Sequence, residues 1–302
     1  MPMSHLKIGQ TTFEWGSRTY VMGIINVTPD SFSGDGLMAL GEGWVEAAVA
    51  QGVRFAQEGA DILDVGGEST RPGAAPVSAE EEMRRVLPVI RGLAAAVNVP
   101  ISIDTYKAVV AEAALDAGAS LVNDVWGLRR DPGLAQVVAR RQVPIVLMHN
   151  RSRPEYVARE AQLGGRYVGI TYEDLMADIA RELEESIALA HASGIPDEHI
   201  ILDPGIGFGK TVDQNLKLLD RLGELKALGY PILVGPSLKS FIGYTLGLPP
   251  DQRLEGTAAA VAVAIARGAD IVRVHHVAFM TRVARMTDAI VRRQRVASPS
   301  LS

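Results

Sequence analysis

Eight short apolar runs recur along the chain, each nearly continuous in Val, Ile and Leu: Val21–Val27, Asp61–Val65, Pro100–Ile103, Ser120–Val125, Pro144–Met148, His199–Leu202, Pro231–Val234 and Asp270–Val274. Strands with one wet face alternate, whereas strands buried on both faces do not, so the pattern predicts a parallel sheet covered on each side. Helical stretches are expected near 42–58, 79–97, 106–117, 132–141, 211–228, 253–267 and 277–294. Another should follow Thr171, with Leu175, Ile179, Leu183 and Ile187 on one stripe and Glu and Arg opposite. Ser78 with Glu81, and Thr171 with Asp174, have capping-box spacing. Gly59, Gly118, Gly194, Gly229 and Gly268 stand at expected helix ends, where a left-handed residue closes the last turn.

Eight strand–helix units in 302 residues leave about 38 residues for each, room for a single (β/α)8 TIM barrel of the α/β class. Residues 1–20 are then an N-terminal extension whose 5–20 segment forms a short hairpin across the barrel bottom. Residues 21–295 form the barrel and 296–302 a frayed tail. Without a Ser- or Pro-rich linker the chain reads as one domain. An open doubly wound sheet is the alternative, which eight matched units favour less.

Composition narrows the chemistry. The chain has no cysteine, which excludes disulfides, a thiol nucleophile and Cys-ligated metal centres. Asp and Glu outnumber Lys and Arg by 35 to 30, against a broad nucleic-acid surface. No apolar run approaches the roughly 20 residues of a membrane span, and the start MPMSHLKIGQ lacks signal-peptide regions, so a cytoplasmic protein is expected.

The C-terminal ends of the apolar runs are polar: Asn26, Asp64, Asp104, Asn123–Asp124, His149, Asp203, the segment Gly235–Lys239, then Arg273 and His275. In a (β/α)8 barrel these ends converge on the face that holds the active site. One such Asp is readily explained as a helix cap; six or more strand ends together are not. Asp104, Asn123 and Asp203 suit a flat heterocycle with an edge of N–H donors, and Val125, Met148 and Phe208 suit walls against its faces. Arg71, Lys239, Arg273 and His275 add donors suited to a phosphate or diphosphate. Two polar loops, Asn26–Gly36 and Gly66–Gly73, leave the same face and as lids would exclude water. The segment Gly205–Thr211 fails the Walker pattern because Pro204 stands at its first glycine, His275–His276 lacks zinc-site spacing, and Ser237 has no triad around it.

The segments GIINVTPDSFSGDG (23–36), DVGGESTRPGA (64–74), ISIDTYKAVVAEAALDAGASLVNDVWG (101–127), ILDPGIGFGK (201–210), ILVGPSLKSFIG (232–243) and GTAAAVAVAIARGADIVRVHHV (256–277) resemble the bacterial dihydropteroate synthases, in order and over nearly the whole chain. The resemblance implies a transferase of folate synthesis that joins (7,8-dihydropterin-6-yl)methyl diphosphate to 4-aminobenzoate. It also implies Mg2+, sulfonamides as aminobenzoate mimics, and a homodimer packed through late helices. Carried over, Asn26 matches the metal-binding position. Asp104, Asn123, Asp203 and Lys239 match pterin-binding positions, and Thr70, Arg273 and His275 match the diphosphate end. Phe32, Thr70, Pro72, Phe208, Lys239 and Ser240 fall where the aminobenzoate pocket forms, while Asp35, Asp64 and Arg71 are expected to organise the loops. Lys239, Arg273, His275 and Asp104 are the expected catalytic set.

Three positions depart from the family pattern: the Gly34–Asp35 order in the first loop, Leu238 where an Arg usually precedes the lysine, and His276 after Arg-Val-His. A methyltetrahydrofolate–corrinoid methyltransferase and a non-catalytic pterin-binding paralogue are the competing readings.

Overall fold

The computed structural model describes residues 5–28, 43–69 and 74–293. The hairpin β1 (His5–Ile8) and β2 (Thr11–Glu14) pairs antiparallel ahead of eight parallel strands: β3 (Tyr20–Asn26), β4 (Ile62–Gly66), β5 (Ile101–Asp104), β6 (Leu121–Asp124), β7 (Ile145–Met148), β10 (Ile200–Asp203), β11 (Leu233–Val234) and β12 (Ile271–Val274). Each pairs with its neighbour in this order, β12 returns to β3, and a bridge between Leu202 and Ile232 closes β10 onto β11. The result is the expected (β/α)8 barrel, with strands at all eight apolar runs.

Two separate cores follow from strand alternation. Outward residues such as Val21, Ile25, Leu63, Ile103, Val122, Leu147, Leu202 and Val272 pack under the helices. Inward residues Met22, Ile62, Leu121, Val146, Ile201, Leu233 and Ile271 meet Leu6, Ile8 and Phe13 of the hairpin inside the barrel. The hairpin therefore plugs the bottom, as the sequence predicts, and Phe13 packs against Tyr20 with ring centroids 4.7 Å apart.

The helices are α1 (Trp44–Gln57), α2 (Ala79–Ala96), α3 (Ala108–Ala117), α4 (Gly133–Arg141), α5 (Leu175–Ala192), α6 (Val212–Asp220), α7 (Ser240–Leu246), α8 (Leu254–Ala266) and α9 (Val277–Val291). Ser78 caps α2 by accepting from the Glu81 amide. Gly59, Gly118, Gly194, Gly229 and Gly268 all take positive φ, as expected of helix-closing residues.

Four local expectations need correction. The cap of α5 is Asp174, whose carboxylate accepts the Met176 and Ala177 amides, and not Thr171. The stretch 211–228 breaks at Arg221 into α6 and a 3-10 turn over Leu222–Leu228. Leu222 and Leu225 are buried there at three-residue spacing, with the poor helix former Gly223 between them. The reciprocal capping box belongs to Thr211 and Gln214. A second hairpin, β8 (Val157–Glu160) with β9 (Gly164–Tyr167), and helix α7 were not anticipated, since both are too short to carry a clear period.

Candidate active site

Alternation also builds the barrel mouth. Two positions past an apolar bottom residue the chain returns to the same face, and on four strands that residue is polar: Ile62 leads to Asp64, Leu121 to Asn123, Ile201 to Asp203 and Ile271 to Arg273. The barrel is thus dry below and polar above, with Asp104 beside Asn123 in register.

Arg273 is the hub of one side. Its Nε donates to Asp64 Oδ2 at 2.6 Å and an Nη2 donates to Asp104 Oδ2 at 2.7 Å. Asn123 Nδ2 donates to the same Asp64 oxygen at 3.1 Å. Asp64, expected to organise the second loop, is placed fully inside the barrel, holding Arg273 and Asn123. Burial pushes the Asp104 carboxyl up to about 7; Arg273 pulls it back, and the Asp64 charge pushes it up again. Burial works to lower the Arg273 pKa, but Asp64 and Asp104 outweigh it and raise it.

The other side is built on the segment after β10. Asp203 Oδ1 accepts the Gly205 amide at 2.7 Å, and burial raises its pKa against the opposing charge of Lys239. Lys239 donates to the Ile206 carbonyl and lies 4.4 Å from the centre of the Phe208 ring. Burial lowers the Lys239 pKa to about 8, with Asp203 working against that shift. Phe208, Val125 and Met148 form their own apolar cluster, edged by Trp126.

His275 follows β12 and reaches the mouth while His276 is exposed. Its Nδ1 lies 2.9 Å from Ser237 Oγ, which also accepts the His275 amide at 3.2 Å, and its Nε2 is 3.5 Å from Asn26 Nδ2. Ser237 is a site residue that sequence reasoning set aside for want of a triad. Its position directly after a barrel strand was the available signal. Ser240 opens α7 next to Lys239. Asp104, Asn123, Asp203, Phe208, Lys239, Ser240, Arg273, His275, Asp64 and Asn26 all lie at this one end of the barrel. Phe32, Asp35, Thr70, Arg71 and Pro72 lie outside the described residues.

Two polar features of the mouth are structural. Asp124 points outward, accepting the Trp126 and Leu128 amides. Lys210 turns away from the mouth: it is buried, its Nζ donates to Gly205 O and Phe208 O at 2.9 and 3.1 Å and lies 2.9 Å from His149 Nδ1. A Cβ on Gly205 would stand 1.9 Å from the His149 carbonyl oxygen, so this glycine serves close backbone packing.

The described mouth is not a simple basic patch, since Asp64, Asp104 and Asp203 stand among Lys239 and Arg273. Nor is there a cluster of three His, Cys, Asp or Glu able to hold a metal among the described residues. The half-buried amide of Asn26 fits an ion that arrives with phosphate oxygens and keeps several waters, the habit of Mg2+.

The raised Asp104 pKa predicts a reversed pH signature. An unfolded Asp titrates near 4 and Asp104 near 7, so the folded state binds more protons in between and stability falls as pH rises across that window. The Tm of the wild type minus that of Asp104→Asn should therefore decrease from pH 4.5 to 7.5 by differential scanning. A constant or rising difference contradicts it.

A family model described as pterin binding enzyme matches residues 22–275. The dihydropteroate synthase of Clostridium beijerinckii is 49% identical over 289 residues, covering 95% of this chain and 100% of the relative. That of Bacillus subtilis is 47% identical, covering 93% and 92%. The solved dihydropteroate synthase of Clostridium difficile, in the presence of pteroic acid, superposes with a TM-score of 0.83 at 48% identity, over 93% of this chain and 99% of that one. The Xanthomonas albilineans dihydropteroate synthase with 4-aminobenzoic acid superposes at 0.84 with 43% identity, over 95% and 98%.

Proposed function

The chain belongs to the pterin-binding enzyme family, in its dihydropteroate synthase branch, and from this we propose a division of labour across the barrel mouth. The reaction joins (7,8-dihydropterin-6-yl)methyl diphosphate to 4-aminobenzoate and releases 7,8-dihydropteroate and diphosphate. The interlock of Asp64, Arg273, Asp104 and Asn123, facing the Asp203–Lys239–Phe208 group, carries the reading. Acceptors on Asp104 and Asp203 and the amide of Asn123 match the N–H edge of the pterin. Phe208, Val125 and Met148 pack its faces. Donors from a bound pterin favour the ionised carboxylates that burial disfavours, so the site gains most from a ligand that supplies them.

As the C–O bond to the diphosphate breaks, its electron pair leaves with the diphosphate and positive charge spreads from the methylene into the ring. Asp104 and Asp203 stabilise that charge, while Arg273 and His275 face the departing anion. Ser237 holds the His275 ring for this. The aromatic amine then attacks the methylene and sheds a proton. Phe208, Lys239 and Ser240 are the described residues we assign to its pocket; the family resemblance adds Phe32, Thr70 and Pro72 to it and gives Asp35 and Arg71 a loop-organising role. Asn26 is the residue that would hold Mg2+, which when bound neutralises charge on the diphosphate.

We also propose that the enzyme works as a cytoplasmic homodimer. The exposed apolar side chains Val263 on α8 and Met286 and Ile290 on α9 support late-helix packing.

Mixing enzyme, both substrates and Mg2+ should release diphosphate in step with dihydropteroate. EDTA should suppress it and added Mg2+ restore it. Pterin binding without diphosphate release would instead mark a non-catalytic pterin-binding protein, and preference for methyltetrahydrofolate a methyltransferase.

A further inference from the structure

Leu238 stands in a conformation that an ordinary side chain avoids. Its φ is +55°, at the third position of a turn closed by the Lys239 amide donating to Pro236 O at 3.3 Å. Glycine or asparagine is the usual occupant of such a position, and a γ-branched residue there is strained. The flanking residues are the ones that matter to the site: Ser237, which orients His275, and Lys239, which faces Asp203 and Phe208.

Both main-chain groups of Leu238 are gripped from α8 and its start. Its amide donates to Oγ1 of the fully buried Thr257 at 3.0 Å, and its carbonyl accepts from Nη1 of the buried Arg253 at 3.1 Å. Thr257 Oγ1 donates in turn to the Arg253 carbonyl at 2.7 Å. Among the described residues the Arg253 guanidinium donates only to main-chain carbonyls, those of Leu238, Leu248 (3.2 Å) and Leu163 (2.9 Å). Its space is kept by Gly243 of α7, where a Cβ would stand 2.3 Å from an Arg253 nitrogen. A buried cation with three carbonyl partners and no carboxylate is an unusual outlay for packing alone. It ties the Leu238 carbonyl to those of Leu163 and Leu248 and so holds it in place.

We propose that Arg253 and Thr257 are positioning residues for the reaction: they hold Leu238 left-handed and thereby set Ser237 with His275 on one side and Lys239 on the other. Neither touches substrate. The proposal rests on the reading of Lys239 and His275 given above.

The test is rescue. Thr257→Val keeps shape but removes the acceptor, so Leu238 relaxes and kcat/KM should fall by about tenfold or more. Leu238→Gly alone should stay near wild type, because glycine takes positive φ without help. In the Leu238→Gly/Thr257→Val double variant most of the lost kcat/KM should return, although the Tm deficit of Thr257→Val should remain. Gly243→Ala, which displaces the guanidinium, should lower kcat and be partly rescued by the same glycine. Full activity in Thr257→Val, or a loss that Leu238→Gly does not relieve in either background, overturns the proposal. Lys239→Met measured alongside separates the two levels: if it retains turnover, the reading of the site fails first.

Discussion

Lys239→Met should lower kcat/KM by about 100- to 10,000-fold, the equivalent of about 3–5 kcal/mol of lost transition-state stabilisation. Asp203 is the group most affected. It is buried, its carboxyl is already raised by that burial, and Lys239 is the first charge that holds it down. Without the ammonium it takes a proton more readily, and a protonated Asp203 is a poorer acceptor for the pterin edge. Both KM for the pterin substrate and kcat should suffer, since the same amine also fills the space over Phe208. Activity remaining in Lys239→Met should decline more steeply below neutral pH than in the wild type. Steady-state kinetics from pH 6 to 9 checks this; turnover within threefold of wild type rules the assignment out.

Arg273→Met should abolish measurable product formation and also lower stability, by about 3–5 kcal/mol where both carboxylates stay ionised. Asp64 and Asp104 share this guanidinium at 2.6 and 2.7 Å, and no other cation donates to either among the described residues. Asp104 would escape part of the penalty by protonation, because removing Arg273 removes the main force opposing its raised pKa. The destabilisation should therefore grow as pH rises through and beyond 7. Adding Asp64→Asn to Arg273→Met should recover part of the Tm but none of the activity, which separates charge balance from chemistry. Recovery of turnover in this double variant would mean that Arg273 serves the fold alone.

Arg273 also shows where reading by residue type and reading by geometry diverge. Grouped with Lys239 and His275, it suggests a basic patch for phosphate. In the folded chain it is interlaced with two carboxylates.

Much was legible along the chain because barrels translate sequence into space by a simple rule. Uninterrupted Val, Ile and Leu marks a strand buried on both faces, and the polar residues at its C-terminal end fall at one rim whatever their separation in sequence. Asp104, Asn123, Asp203, Arg273 and His275 were identifiable on that ground alone, and the family segments added roles. The two-residue alternation that puts Ile62 under Asp64 and Ile271 under Arg273 is present in the letters as well. Partners were not. That Asp64 binds Arg273 and Asn123, that Ser237 orients His275, that Lys210 turns inward to His149, and that Leu238 is held left-handed by Arg253 and Thr257 are all contacts across long sequence separations. Propensity and period describe a residue's own neighbourhood, whereas a hydrogen bond between β4 and β12, or between the turn after β11 and α8, exists only once the sheet has closed and brought both ends to the same few ångströms.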